Sequence, residues 1–408
     1  MSRLGRVAGL LALGARGLLQ AHAVYSLGLV FASWALDRRR TQPVLAADPR
    51  LRIAALLVAH DEEQVIGGAV TSLCAQDYAR EHYEVVVIAD NCSDRTAERA
   101  RAAGATVIER HSGGARGKSA ALGFGLDWVL QQGRFHAVAV FDADNHADPA
   151  CLRKLAARLA SGERIVQGFV DAKNPGAGWV PALSALGFWA MAALQQAPRE
   201  RLGLSAPLMG TGWAAEIGLC LEELAVLDSV TDDLELVARL ALLGVRVAYE
   251  PSARVRDEKP GTLAQALRQR ERWMRGRWSV VEEYVPRLLA AAFGRDGDRG
   301  LAERLRAFDA CVQLAAPSVL FTGAALGAVA GAELLRLRPA RATLSLSLAL
   351  LTFAAPLPEL VAHRPPRRVW ALYPLQPLYL LLSVPLSAAG FVRRGAATWR
   401  RTEHGASP

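Results

Sequence analysis

The sequence is poor in cysteine and contains no CxxC pair among its 408 residues. The five cysteines are widely spaced, which argues against a zinc site or a disulfide framework and is typical of a reducing compartment. The basic residues are scattered and no aromatic platform accompanies them, so nucleic acid is not an expected partner. The net charge of +9 suits anionic lipid headgroups or phosphate-bearing substrates, although a proteome that uses arginine for lysine would also produce it.

Residues 17–36 carry no formal charge if His22 is neutral. About 20 such residues are needed to cross the hydrocarbon core as a helix. Arg38, Arg39 and Arg40 follow directly, and by the positive-inside rule they place that end in the cytoplasm. We interpret the run as a membrane anchor and not as a cleaved signal peptide, because Arg16 interrupts the apolar region that a signal would need.

The chain as a whole combines 52% hydrophobic residues with 21% charged residues, which indicates a soluble domain attached to membrane helices. Near the C-terminus, residues 310–335, 343–362 and 369–392 are apolar enough to enter the membrane, and arginines on both sides leave their orientation open. Residues 280–307 predict a pair of helices at the cytoplasmic interface. Residues 177–197 predict a further interfacial helix.

Short apolar runs typical of buried strands alternate with helical stretches in the middle of the chain. The predicted strands are residues 51–60, 84–90, 105–109 and 136–142, and the predicted helices are residues 62–77, 94–103 and 117–131. This alternation predicts an α/β fold with a parallel sheet covered by helices on both faces. A ligand of such a sheet binds beyond the carboxyl ends of the strands, where this sequence carries acidic residues.

The motif Asp142-Ala143-Asp144 follows one of these strands. Two carboxylates at positions i and i+2 can point the same way from a strand end and hold a hard divalent cation that also bridges two phosphates. A calcium loop is excluded, because Ala147 and Arg153 stand where that loop needs Gly and Glu. A turn that caps the next helix is the structural alternative.

A glycine-rich segment before Lys118 resembles a phosphate-binding P-loop, but Ser112 stands where the motif needs Gly. Lys118 opens a predicted helix and could contact a diphosphate, or it could be an ordinary surface lysine. The Trp213 segment (GTGW) predicts a loop that closes over an acceptor.

Asp232 and Asp233 begin a helix, where acids are expected on structural grounds alone. A carboxylate is also what a general base for sugar transfer requires, so Asp233 is the first candidate. Further along, Gln269, Arg272 and Trp273 combine groups that bind phosphate with an aromatic face on which a sugar can rest.

Taken in order, the segments VAHDEE, ADNCSD, RGKSAAL, DAD, GTGW, TDD and QRERW resemble the motif series of membrane-bound family 2 glycosyltransferases. That family has a GT-A catalytic domain, which is Rossmann-like, and includes synthases of cellulose, hyaluronan, chitin oligosaccharides and poly-N-acetylglucosamine. The resemblance covers about residues 51–280 and extends to the flanking membrane helices.

The resemblance implies an inverting hexosyltransferase that takes a sugar from a nucleotide diphosphate, with a UDP-sugar as the expected donor. Asp144 would ligate Mg²⁺ or Mn²⁺, with Asp142 on the donor side of the metal. Asp233 would deprotonate the acceptor hydroxyl, with Asp232 as the next candidate. The other residues implied in binding the nucleotide, the diphosphate or the acceptor sugar are Asp61, Glu62, Asp90, Lys118, Gln269, Arg272 and Trp273.

The expected acceptor is a growing polysaccharide at the membrane, and the alternative is a single transfer to a lipid. A non-catalytic membrane scaffold is a third hypothesis, against which the intact acidic set argues. The expected partners are the donor, the acceptor, membrane lipids and an accessory secretion subunit. The expected location is the inner (plasma) membrane, with several spans and a cytoplasmic catalytic domain. The predicted division is residues 1–47 as anchor, 48–280 as GT-A domain, 281–309 as interfacial helices, 310–392 as membrane region and 393–408 as tail.

Overall fold

The computed structural model describes residues 3–37, 50–112, 117–223, 232–294, 299–386 and 389. Three features of the sequence-based prediction lie outside the described residues: the arginines at 38–40 that set the orientation, the glycine-rich residues 113–116, and the tail 393–408. Thr231 and the side chain of Asp232 also lie outside them.

One mixed sheet forms the centre of the described structure. Its strands are β1 (Ile53–Ala59), β2 (Tyr83–Asp90), β3 (Thr106–Arg110), β4 (Ala137–Asp142), β5 (His146–Ala147), β6 (Ile165–Ala172), β7 (Trp213–Glu216) and β8 (Val247–Asp257). The spatial order is β3-β2-β1-β4-β7-β6-β8-β5. The first four strands are parallel, β7 is antiparallel to β4 and β6, and β8 is parallel to β6. The predicted α/β class and all four predicted strands are confirmed.

This topology brings most carboxyl ends of the strands to one edge of the sheet. Because β7 runs antiparallel between β4 and β6, strands β6 and β8 point the same way as β1 to β4. The acidic residues that end β4 and β8, Asp142 and Asp257, therefore lie along a common edge. A site at this edge can draw on residues that are more than one hundred positions apart in sequence.

Both faces of the sheet are buried, as expected for parallel strands covered by helices. In β1, Ile53 and Leu57 belong to the apolar cluster on one face, whereas Leu56 belongs to the cluster on the other face with Ile88 and Val140. This explains why the strands appear in the sequence as continuous apolar runs and not as alternating patterns.

The helices are α1 (Arg3–Asp37), α2 (Ile66–Cys74), α3 (Thr96–Ala102), α4 (Lys118–Gln132), α5 (Cys151–Ala160), α6 (Trp179–Met191), α7 (Ala197–Leu202), α8 (Ile217–Glu223), α9 (Asp232–Leu242), α10 (Leu263–Phe293), α11 (Leu301–Ala315), α12 (Val319–Leu335), α13 (Pro339–Ala354), α14 (Leu357–Ala362), α15 (Arg367–Trp370) and α16 (Gln376–Leu381). Helices α2, α3 and α4 confirm the three helices predicted between the first strands.

Three segments of the described chain are long and apolar enough to cross a membrane: Leu10–Leu36, Pro339–Ala362 and Arg367–Leu386. Helices α11 and α12 pass the same test as a pair that is bent by 57°, which would make a fourth broken span. These positions agree with the four apolar stretches that the sequence predicts. The predicted interfacial segment 177–197 corresponds to α6 and its continuation, whose residues are largely buried against the sheet and the C-terminal helices.

A buried ion pair joins the apolar helices to the central domain. Arg199 of α7 donates two hydrogen bonds to the carboxylate of Asp309 in α11, each 2.9 Å long. The hydroxyl of Tyr25 in α1 donates to the same carboxylate at 2.8 Å. One buried carboxylate therefore connects the N-terminal helix, the central domain and the start of the C-terminal region.

Candidate active site

The turn after β4 is held by two polar residues that the sequence reasoning did not assign to the site. The backbone N–H of Asp142 donates to the side-chain oxygens of Asn145 at 3.1 Å and Thr211 at 3.0 Å. The Thr211 hydroxyl also donates to Asn145, which is almost fully buried. The position of Asn145 directly after the DxD motif was the available signal, because Asn commonly organises such turns.

Lys118 connects two motifs at the centre of this edge. Its ammonium nitrogen lies 2.5 Å from Oδ1 of Asp142 and donates to the carbonyl oxygen of Gly210 at 2.6 Å. Gly210 has φ +73°, and a Cβ built on it would lie 3.6 Å from Oδ2 of Asp233. The DxD turn, the lysine, the glycine loop and the acidic start of α9 thus meet in one place.

Asp144 lies beside the end of β8. Its carboxylate accepts hydrogen bonds from the side-chain amide of Asn145 at 3.1 Å and from the backbone N–H of Glu258 at 3.4 Å. Asp142 and Asp144 are both partly exposed. Carboxylate oxygens at a partly open turn are the ligands that Mg²⁺ and Mn²⁺ prefer, so this pair fits the predicted metal.

Asp233 stands in the first turn of α9, and its carboxylate accepts the backbone N–H of Leu234 at 2.9 Å. Asp232 is the first residue of the same helix. The structure places the carboxylate of Asp233 beside Gly210.

The residues predicted to bind the nucleotide base lie at the ends of β1 and β2. Asp61 adopts φ +55° and accepts the backbone N–H of Ser93 at 2.6 Å, which ties the two strand ends together. Asp90 is buried and forms an ion pair with Arg110 at 2.6 Å. Glu62 is also buried, and its backbone N–H donates to Thr96 at 2.8 Å.

A second acidic group lies in the same loops. Ligand atoms of Asp61, Cys92 and Asp94 lie within 4.8 Å of one another. The two carboxylates, however, already accept hydrogen bonds from their own loops, for example from Ser93 and Thr96. Burial raises the pKa of the Cys92 thiol, and only a thiolate is an effective metal ligand. The DxD pair stays the predicted metal site, and the group of Asp61, Cys92 and Asp94 is a second candidate.

Gln269, Arg272 and Trp273 occupy neighbouring turns of α10, so positions 269 and 273 share one helix face. The Trp273 ring lies 6.3 Å from the ring of Phe188 in α6. Helix α10 is continuous from Leu263 to Phe293, so this motif and the first predicted interfacial helix form a single helix.

An ion pair between a buried lysine and a partly exposed aspartate at the end of β8 was missed by the sequence reasoning. Nζ of Lys259 lies 2.6 Å from Oδ1 of Asp257, and the Lys259 side chain is 2% exposed. Burial raises the pKa of Asp257 and lowers the pKa of Lys259, while the attraction between them opposes both shifts. The sequence signal was the run of charged residues Arg256–Lys259, which was not recognised as the end of a strand.

The Trp213 ring belongs to the core and not to the surface of the site. Trp213 is 4% exposed, begins β7 and packs with Val140 and Ile165. Closure over an acceptor by the loop before it stays a prediction. The preceding residues hold the end of β4 through Thr211.

A mainly parallel sheet with a DxD turn, a lysine and a helix-borne carboxylate at its carboxyl edge is the architecture of a GT-A glycosyltransferase. The family model described as "Glycosyltransferase like family 2" matches residues 49–276, more than half of the chain. The chain belongs to this family.

The chain is similar to β-monoglucosyldiacylglycerol synthases from Synechocystis (30% identity, 59% of this chain and 52% of that one) and Trichormus variabilis (29% identity, 68% and 59%). It thus spans little more than half the length of these curated relatives. Among solved structures it is similar to the mannosyltransferase PcManGT of Pyrobaculum calidifontis in complex with GDP-Man and Mn²⁺. The TM-score is 0.53 at 21% identity, covering 92% of this chain and 99% of that one, which supports the GT-A fold.

Proposed function

We propose that the protein is a metal-dependent, inverting glycosyltransferase that moves a sugar from a UDP-sugar to a lipid acceptor at the membrane. The observation that carries the lipid acceptor is the contact between α10 and the apolar C-terminal segment. Arg270 donates hydrogen bonds to the carbonyl oxygen of Tyr379 at 3.2 Å and to Ser383 at 2.8 Å. Arg270 is three residues from Trp273, so the candidate acceptor site adjoins the segment Arg367–Leu386.

The outer face of that segment suits a hydrocarbon environment. Gln376 and Tyr379 are buried against the protein, whereas Leu378 is 64% exposed and Leu375 and Leu382 are also exposed. A helix that shows leucines outward beside the catalytic domain favours an acceptor that stays in the bilayer. The similarity to β-monoglucosyldiacylglycerol synthases supports a glucosyl donor and a diacylglycerol-type acceptor.

For the donor, we propose that Asp61, Glu62 and Asp90 line the base and ribose pocket. Their position at the ends of β1 and β2 supports this, because ligands of such sheets bind beyond the carboxyl ends of the strands. Lys118 lies close enough to the DxD turn to contact the diphosphate. Gln269 and Arg272 complete the proposed diphosphate contacts from α10.

For the reaction, we propose that Asp233 accepts the proton of the acceptor hydroxyl while the oxygen of that hydroxyl attacks the anomeric carbon of the donor sugar. The nucleotide diphosphate leaves from the opposite face, so the configuration inverts. A divalent cation held by Asp142 and Asp144 would offset the charge of the departing diphosphate. Trp273 offers an apolar face to the acceptor, and Asp232 is the alternative base.

For the membrane arrangement, we propose the division predicted from the sequence, with residues 48–280 as the catalytic domain between an anchor (1–47) and a C-terminal membrane region (310–392). The candidate spans on both sides of the sheet domain support it. We further propose a plasma-membrane location with the catalytic domain in the cytoplasm, where nucleotide sugars are found.

A polysaccharide synthase is the second candidate, because the set Gln269, Arg272 and Trp273 resembles the acceptor motif of processive enzymes. Such an enzyme must pass its product across the membrane, which would give the predicted accessory secretion subunit a role. The two candidates differ in the solubility and the size of the product.

The test supplies purified full-length enzyme in nanodiscs containing diacylglycerol with Mn²⁺ and, separately, radiolabelled UDP-glucose, UDP-N-acetylglucosamine, UDP-glucuronate and GDP-mannose. We expect label from UDP-glucose in the organic phase, and none with the Asp233→Asn variant. Label in a long water-soluble polymer would support the second candidate. Absence of label from both phases would contradict both.

A further inference from the structure

The segment Asp257–Lys259, at the end of β8, is held by several side-chain contacts. The backbone N–H of Lys259 donates to Oδ1 of Asn174, and the carbonyl oxygen of Lys259 accepts from Nδ2 of the same residue, both at 2.9 Å. The ion pair with Asp257 adds a side-chain constraint at 2.6 Å. Two hydrogen bonds to Asn174 and one ion pair to Asp257 therefore fix the position of Lys259.

This segment touches both halves of the candidate site. On one side, the N–H of Glu258 donates to Asp144 at 3.4 Å. On the other side, Nζ of Lys259 lies 3.1 Å from the centroid of the Phe188 ring, and that ring lies 6.3 Å from Trp273. A continuous set of contacts thus runs from the DxD turn to α10.

Stability alone is a poor explanation for this arrangement. Moving an ion pair out of water costs several kcal/mol for each ion. Replacing a buried ion pair with apolar residues of similar size is often neutral or stabilising. A short ion pair seated on an aromatic face does restrict geometry, because the ammonium must satisfy the carboxylate and the ring at once. The expected benefit is a constant distance between the DxD turn on one side of Lys259 and the Phe188 ring on the other.

We propose that Lys259 is a positioning residue that holds Trp273, through Phe188, at a constant distance from Asp144. The inference rests on the proposed roles of Asp144 and Trp273. In this proposal a buried lysine keeps the acceptor side of the site aligned with the metal side. Lys259 itself does not touch the substrates.

The test is a kinetic double-mutant cycle on full-length enzyme in nanodiscs, with Lys259→Met and Trp273→Phe. If Lys259 acts through Trp273, the double variant should lose about as much kcat as the more damaging single variant, because coupled residues are not additive. Phe188→Leu removes the intervening ring without leaving a buried charge, and it should couple to Trp273→Phe in the same way. Additive losses in either cycle would overturn the inference.

A second comparison separates positioning from the cost of a buried charge. Lys259→Met leaves Asp257 unpaired, whereas Asp257→Asn with Lys259→Met removes both charges. We expect the combined variant to recover thermal stability but not kcat, and recovery of both would overturn the inference. Lys154→Met is the matched control, since Lys154 donates to the carbonyl oxygen of Ser252 at 2.7 Å, where the pairing of β8 with β6 is irregular.

Failure of the proposed function gives a different pattern. If Trp273→Phe and Asp144→Asn alone leave turnover at the wild-type level, the proposed site roles and this inference both fall. If each of these variants lowers turnover but Lys259→Met combines additively with Trp273→Phe, only the inference falls.

Discussion

The ammonium nitrogen of Lys118 lies 2.5 Å from Oδ1 of Asp142, across 24 positions of sequence. Replacing Lys118 with Met should remove its proposed charge-assisted hydrogen bond to the diphosphate, worth about 1.5–3 kcal/mol, so donor affinity should fall by roughly 10- to 150-fold. Donor binding can be measured by calorimetry with UDP-glucose and Mn²⁺. Lys154→Met should bind donor normally, and equal losses in the two variants would assign the effect to net charge.

Metal dependence can be assigned to the DxD turn. Chelation should abolish donor binding to the wild-type enzyme, and Mn²⁺ should restore it. Asp144→Ala should not regain binding at any usable Mn²⁺ concentration, because a metal ligand is missing. Cys92→Ala should keep the wild-type metal dependence, whereas a loss of metal dependence there would move the site to the Asp61, Cys92 and Asp94 group.

The two acids at the start of α9 should differ in effect. Asp233→Asn should leave donor binding intact and lower kcat by roughly 10²- to 10⁴-fold, the range expected when a general base is lost. Asp232→Asn should have a much smaller effect, because the carboxylate that the structure describes beside Gly210 is that of Asp233. Single-turnover kinetics with saturating donor measure this directly. A larger loss in the Asp232 variant would reverse the assignment.

Two glycines of α4 provide a matched pair for stability. A Cβ on Gly125 would lie 2.6 Å from Cδ1 of Ile88, whereas a Cβ on Gly123 would meet no heavy atom within 4 Å. Gly123→Ala should raise the melting temperature, since Ala is favoured over Gly in a helix by about 1 kcal/mol. Gly125→Ala should lower it, because overpacking costs roughly 1–3 kcal/mol. Equal shifts in detergent would mean that β2 yields to the added methyl group.

Loss of the ion pair between Arg199 and Asp309 should strongly lower the stability of the protein. Arg199→Met leaves a buried carboxylate without its cation, and such changes cost about 3–5 kcal/mol. The double variant Arg199→Met with Asp309→Leu should recover much of that loss. Thermal unfolding in detergent, with yield of folded protein as a second readout, measures both. Equal damage by the single and double variants would show that the charge itself is not the cause.

Local patterns were sufficient for the first four parallel strands and for the apolar terminal segments. The runs that became β1, β2, β3 and β4 are apolar because both faces of the sheet are covered, and this is visible over a few residues. The apolar segments at both ends follow in the same way from length and composition. The antiparallel strand β7 was not foreseen, because Trp213 alone does not reveal that its segment enters the sheet between β4 and β6.

The sequence by itself determined the α/β class, the apolar terminal helices and the residue types offered to a ligand, because each depends on short-range periodicity or on composition. Tertiary structure decided which of those residues meet. The insertion of β7 aligns the end of β8 with the DxD turn, so Glu258 reaches Asp144 and Lys259 reaches Phe188. Contacts between residues so far apart in sequence depend on strand order, and strand order is settled by the packing of the whole sheet.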